Sequence, residues 1–233
     1  MNLSITPKSE LSGDLPKLPL MQILLSETGK RFNRDWIFQN FTYQFNSGGT
    51  YAITGPNGSG KSTLLQVIAG AVAASEGTVT YQTEGKKVEP DSMFRHLSIA
   101  APYQEVIEEM TLTEFLHFHK TFKPLISNVS VNKIVAMIHL EEAEGKQIRY
   151  YSSGMKQRVK LAQAFFSDTS VLLLDEPCTN LDEDGVQLYH RLINEYTLNR
   201  IVIVSSNDIG EYGFCKEKIF MGDIGKRQKP DGR

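Results

Sequence analysis

Gly55-Pro56-Asn57-Gly58-Ser59-Gly60-Lys61-Ser62-Thr63 follows the apolar run Thr50–Thr54 and opens a helical pattern. The stretch fits G-x-x-x-x-G-K-[ST], the P-loop motif. Its glycines let the backbone curl until successive N–H groups point at one phosphate. The helix that begins at its end adds the positive pole of its dipole. Lys61 is placed to reach β- and γ-phosphates, and the Ser62 hydroxyl to bind Mg²⁺.

Outward from this turn the chain reads as strands and helices in alternation. Met21–Ser26, Ile37–Phe45 and Thr50–Thr54 are strand-like, with Ser47-Gly48-Gly49 as a turn. After the P-loop, Leu64, Leu65, Ile68 and Val72 recur at helical spacing. Gly77–Thr83 and Leu97–Ala101 read as further strands. From about Thr111 to Glu144 the period is helical, broken by Pro124 and Ser127-Asn128, and another helix is expected from Ser152 to Phe166. Val171–Leu174 and Ile201–Val204 are continuous apolar runs, as strands buried on both faces of a parallel sheet require. Val186–Tyr196 is the crossover helix between them. The pattern predicts an α/β nucleotide-binding core, interrupted by a helical insertion at about 105–150.

Val171-Leu172-Leu173-Leu174-Asp175-Glu176-Pro177 ends a buried strand in two carboxylates. Charges there are costly unless they hold a counter-ion or take part in chemistry. Asp175 is placed to hold Mg²⁺ through its water shell, and Glu176 to polarise an attacking water as general base.

Composition narrows the function classes. The 233 residues are 40% apolar and 22% charged with 18 Gly and 9 Pro, which excludes collagenous and wholly disordered chains. Lys+Arg (25) and Asp+Glu (27) leave a net charge of -2, against nucleic acid as a partner. Cys178 and Cys215 fit neither a disulfide framework nor a zinc spacing and read as reduced thiols. No apolar stretch approaches the ~20 residues that span a bilayer. Residues 1–20 mix Ser, Pro and charge, and read as a flexible leader before a single domain over 21–233, with Met21 as an alternative start.

Tyr151-Ser152-Ser153-Gly154-Met155-Lys156-Gln157-Arg158 resembles the L-S-G-G-Q-x-Q-R signature of ABC ATPases. Ser152 stands 23 residues ahead of Asp175, the family's spacing. Gln104, 43 residues after Lys61, resembles the Q-loop glutamine, a ligand of Mg²⁺ and water. Asn180-Leu181-Asp182 is similar to the D-loop, and Phe32, 29 residues before Lys61, to the aromatic that stacks on adenine, with Trp36 as a rival. The resemblance covers 21 to about 220. It implies a P-loop core with a parallel sheet, an antiparallel β subdomain and an inserted helical subdomain. It implies ATP and Mg²⁺ as cofactors, and Ser152, Ser153 and Gly154 on the γ-phosphate held by an opposite protomer. Independently of the family, Ser152 can N-cap the following helix and leave backbone donors for an anion.

Three positions depart from the family. Ser153 replaces a signature glycine, Met155 replaces the glutamine, and Asn207, 31 residues after Glu176, stands where the switch histidine is expected. Asn can hydrogen-bond a γ-phosphate oxygen but never carries an imidazolium's charge, so nucleotide binding with slower hydrolysis is expected. The resemblance implies the ATP-hydrolysing subunit of an ABC transporter, a homodimer or a pair with a paralogous subunit. It would be cytoplasmic and peripheral on the inner face of the membrane, through an integral membrane subunit docked near Gln104 and the insertion. The rival readings are a soluble ABC ATPase and a regulatory nucleotide sensor with slow turnover.

Overall fold

The computed structural model describes residues 18–127 and 129–224. Most of the expected leader, and Asn128, lie outside the described residues. Two sheets organise the chain. β1 (Met21–Phe32), β2 (Asp35–Asn46), β4 (Glu76–Thr83) and β5 (Lys86–Val88) form an antiparallel sheet in the order β2-β1-β4-β5. β3 (Thr50–Thr54), β6 (Leu97–Ala100), β7 (Val171–Asp175), β8 (Ile201–Ser205) and β9 (Glu217–Phe220) form a parallel sheet in the order β6-β7-β8-β3-β9. Every residue of β7 and β8 is buried, which their uninterrupted apolar sequence had demanded.

The helices are α1 (Lys61–Ile68), α2 (Leu112–Phe122), α3 (Val131–Met137), α4 (Ser153–Phe165), α5 (Glu183–Tyr196) and the short α6 (Ile209–Tyr212). α1 is shorter than its apolar spacing suggested. Gly70 adopts φ +73 just beyond it, so Val72 packs on the core from outside the helix. α2 begins in a capping box: Thr111 Oγ1 accepts from Glu114 N, and the Glu114 carboxylate accepts from Thr111 N. β1 and β2 run longer than their strand-like cores because polar residues continue the ladder to a tight turn at Asn33-Arg34. β9 escapes a reading by pattern, since Ile219 is its only buried side chain.

The core divides in two across the parallel sheet. One side joins α1 to the antiparallel sheet through Leu64, Leu65, Ile68, Ile23 and Phe45. The other joins α4 and α5 to the helical stretch through Phe165, Tyr189, Leu116 and Ile134. At the amino-terminal edge of the parallel sheet Arg200 is fully buried. Its guanidinium donates to Phe165 O (2.9 Å), Ser98 Oγ (2.8 Å) and Thr169 Oγ1 (2.6 Å). Burial brings this group down to about 9, opposed by the nearby charge of Asp168.

His119 on α2 belongs to the same polar layer. Ser167 Oγ donates to Gln163 O, so His119 Nε2 donates to Ser167 Oγ across 2.8 Å. Burial, helped by the charge of Lys123, lowers the imidazole to about 4, against 6.5 when unfolded. Between those values the unfolded chain binds more protons, so stability present above pH 6.5 is lost as the pH falls through 4. The loss should be about 3 kcal/mol. Urea unfolding from pH 7 to 4 should show that slope flattened in His119→Gln, which keeps a donor without a titrating ring.

Candidate functional site

In a parallel sheet all the strand ends face one way, and ligands gather at the carboxyl edge. Here β3 ends at Thr54 and feeds the P-loop, β7 ends at Asp175, β8 ends at Ser205, and β6 leads within four residues to Gln104. Register places Ile53 opposite Ser205 and Ser205 opposite Asp175. The sheet alone therefore assembles four segments distant in sequence.

The P-loop wraps the start of α1. Gly60 takes φ +100, and a Cβ there would lie 2.2 Å from Ile37 Cγ2, so only glycine fits between β2 and the helix. Lys61 is 6% exposed, and its Nζ donates to Gly55 O at 2.9 Å and to Pro56 O at 3.4 Å. The cation therefore lies under the loop whose backbone it would assist. Ser62 and Thr63 follow in the first turn, half-buried.

Asn207 faces the same loop. Its Oδ1 accepts from Gly55 N at 3.1 Å, and its Nδ2 donates to Asn57 Oδ1 at 3.2 Å. Both polar ends of the amide are thus engaged with the P-loop, a contact the sequence comparison with a switch histidine did not foresee. Glu176 is exposed and holds φ +45, an uncommon backbone for a side chain of that size. Its N–H donates to Ser205 O at 2.9 Å. Asp175 beside it is 2% exposed. The Tyr103 phenol, bonded to Gln66 of α1, is raised by burial and by the charge of Asp175.

The donor set fits a bound phosphate chain with a hard cation. Thr54 Oγ1, Ser59 Oγ, Ser205 Oγ and Gln104 Oε1 are all buried without a hydrogen-bond partner. Buried polar atoms are rarely left unpaired. Three of these four belong to the strand ends or the P-loop, and the fourth to the segment after β6. They are oxygen donors, the chemistry Mg²⁺ takes.

A second cluster is built around α4. Ser152 N-caps the helix, its Oγ accepting from Met155 N at 3.2 Å. Ser152, Ser153 and Gly154 line a groove of about 750 Å³ with Asn180 and Asp182, and no P-loop residue lines it. Two side chains of α4 fix the turn after Glu176: Gln157 Nε2 donates to Pro177 O at 2.7 Å, and Arg158 Nη2 to Asp182 Oδ1 at 2.7 Å. The Arg158 hydrogen bond holds the Asp182 carboxyl below its usual range, and Asp182 in turn caps α5 at Gly185 N.

Phe32 ends β1 half-exposed, with Lys30 Nζ 4.9 Å from its ring centre. Trp36 packs over Gly29 and carries the Arg31 guanidinium at 5.3 Å. A side chain of that sheet that does meet the P-loop is Ile37, which sequence reasoning missed; its place opposite a P-loop glycine has no local signal. Cys178 and Cys215 are free, and burial pushes both thiols up to about 12.

Fold and edge together define a P-loop nucleotide site on a mixed α/β scaffold. A family model described as ABC transporter matches residues 38–179, and the chain belongs to that family. It is an ATP-binding ATPase of that class. The uncharacterized ABC transporter ATP-binding protein YybJ of Bacillus subtilis (strain 168) is 28% identical over 180 residues, 76% of this chain and 82% of that one. ABC transporter A family member 11 of Dictyostelium discoideum is 28% identical over 182 residues. That match takes in 76% of this chain but only 22% of the longer relative. A dimeric bacterial ABC transporter cassette superposes with a TM-score of 0.70 at 21% identity, over 91% of this chain and 100% of that chain, which bears on the fold alone. Family members work with membrane subunits and dimerise. Among the described residues no helix is long and apolar enough to cross a membrane.

The Asn207 bridge predicts a specific sensitivity. Asn207→Asp keeps the shape but cannot donate to Asn57 Oδ1, and it sets a negative charge against the loop that receives phosphate. ATP affinity should fall by about 1–3 kcal/mol with unfolding behaviour unchanged. A nucleotide titration giving wild-type affinity would show the bridge to be idle.

Proposed function

We propose that the chain is the ATP-hydrolysing subunit that powers transport through a separate integral membrane subunit. Two copies, or one copy and a paralogous subunit, close around two ATP and reopen after hydrolysis and release. The observation that carries this reading is the separation of two half-sites on one chain. The P-loop gathers at the sheet edge with Asp175, Glu176 and Gln104, whereas the capped N-terminus of α4 lines a groove of its own. A helix N-terminus with free backbone donors suits an anion, and a second copy brings one to it.

Within each half-site the roles follow from chemistry. The loop Gly55-Pro56-Asn57-Gly58-Ser59-Gly60 encloses the phosphates, with backbone N–H groups of the run Asn57-Gly58-Ser59-Gly60 as donors. Lys61 neutralises β- and γ-charge, and Thr63 completes the first turn beneath them. Ser62, Gln104 and Asp175 would hold Mg²⁺, which offsets charge on the leaving phosphate. Glu176 takes a proton from the attacking water. Asn207 contacts the γ-phosphate only by yielding its bond to Asn57, which supports slow hydrolysis. Phe32 is the adenine platform, with Trp36 its competitor. Ser152, Ser153 and Gly154 receive the γ-phosphate of the opposite copy.

The membrane subunit docks where Gln104, Glu105 and Glu108 border Lys156 and Lys160 of α4, around a depression of about 390 Å³. Such docking puts the chain on the inner face of a membrane. Co-purification of the tagged chain with an integral membrane protein tests the assignment to transport. Recovery of ribosomes or DNA instead would favour a soluble ABC ATPase.

Two substitutions test the site. Lys61→Ala should weaken ATP by about 1.5–3 kcal/mol in a titration, the scale of a hydrogen bond to a charged group. Unchanged affinity removes Lys61 from the phosphates. Glu176→Gln should keep ATP affinity but stall turnover, because an amide cannot accept the water's proton. Scattering or size-exclusion should then find an ATP-dependent dimer, while wild-type hydrolysis would remove Glu176 as the base.

A further inference from the structure

Glu211, on the short helix after Asn207, is a buried carboxylate that the reading above leaves without a role. It is 6% exposed, and none of the ion pairs among the described residues includes it. A carboxylate held away from water and without a cation is disfavoured unless several donors satisfy it. Here the donors come from two separate loops. Glu211 Oε1 accepts from Cys178 N at 2.7 Å, two residues beyond Glu176. The Ser206 hydroxyl, one residue before Asn207, also bonds the carboxylate. Ser206 Oγ in turn accepts from Asp208 N at 2.9 Å, and Tyr189 Oη donates to Glu211 O at 2.6 Å, which fixes the residue against α5.

The two loops so joined are the ones that flank the nucleotide edge. One contains Glu176 at φ +45, a conformation that persists only where its surroundings enforce it. The bonds Glu176 N to Ser205 O and Thr179 N to Glu176 O hold the turn at either end, and the Glu211–Cys178 bond holds its middle.

We propose that Glu211 is a positioning residue for hydrolysis: its carboxylate braces the turn that carries Glu176 against the loop that carries Asn207. Its effect passes through the orientation of Glu176, so the proposal rests on Glu176 being the general base. Burial raises the Glu211 carboxyl above its usual range, and the hydrogen bonds from Ser206 and Cys178 oppose that rise. The group is therefore held by the very contacts proposed to matter.

The experiment uses the full chain with Mg·ATP, measuring ATP affinity by titration and hydrolysis by phosphate release. Glu211→Ala should lower turnover at least tenfold while the dissociation constant for ATP stays within twofold. Glu211→Gln should recover turnover to within threefold of wild type, because its amide oxygen still accepts from Cys178 N. A structural role alone would move affinity and turnover together. In the Glu176→Gln background, Glu211→Ala should lower the residual rate no further. Should Glu211→Ala fail to fold, Ser206→Ala removes the other end of the brace and should lower turnover about threefold with affinity unchanged. Wild-type turnover in Glu211→Ala or Ser206→Ala, or equal losses in affinity and rate, overturns the proposal. If Glu176→Gln itself hydrolyses at the wild-type rate, the general-base assignment has failed instead, and the two failures are distinguishable.

Discussion

The parallel pairing of β3, β8 and β7 is the constraint on which the rest depends. Three short strands, wholly apolar inside, are aligned so that their polar last residues reach one edge together. Parallel order is available only because long crossovers, α1 and α5 among them, carry the chain back to the start of the sheet. The site is therefore a property of strand register. A slip of one residue in β7 would turn Asp175 toward the other face of the sheet and remove it from the edge.

The two edges of this sheet treat polar groups differently. At the amino-terminal edge the two terminal nitrogens of Arg200 donate to Ser98, Thr169 and carbonyls of α4, while its Nε has no partner, so a buried cation becomes part of the scaffold. At the carboxyl edge Thr54, Ser59, Ser205 and Gln104 keep oxygens without partners. The first arrangement ties α4, β6 and the segment before β7 to one side chain. The second leaves capacity for a ligand, and it is the cost a folded chain tolerates at a place reserved for binding.

Much of this was legible in the residues. The P-loop could be read because its particular backbone path around a phosphate demands glycine and lysine at fixed spacing. The strands β7 and β8 could be read because burial on both faces forbids polar residues inside them. Ser152 as an N-cap was legible for a similar reason, a small hydroxyl ahead of a helical period. What escaped were contacts between distant loops. Nothing in the spacing of Asn207 shows that its amide spans Gly55 and Asn57. Glu211 reads as an ordinary helical acid until folding brings Cys178 N against it. β9 escaped because a strand with one buried residue has no period to detect.

These loop contacts also tie the α4 groove to the turn at the sheet edge. α4 presents its N-terminus to one groove, while Gln157 and Arg158 from the same helix hold Pro177 O and Asp182. The turn they hold begins at Glu176. A displacement of α4 would therefore be passed directly to the turn that carries Glu176. Glu211 restrains that turn from the opposite side, through Cys178. The turn is clamped between α4 and a carboxylate on the segment that follows Asn207. The segment from Glu176 to Asp182 is thus the one stretch to which both the α4 contacts and the Glu211 contact report, with no longer chain of side chains between them.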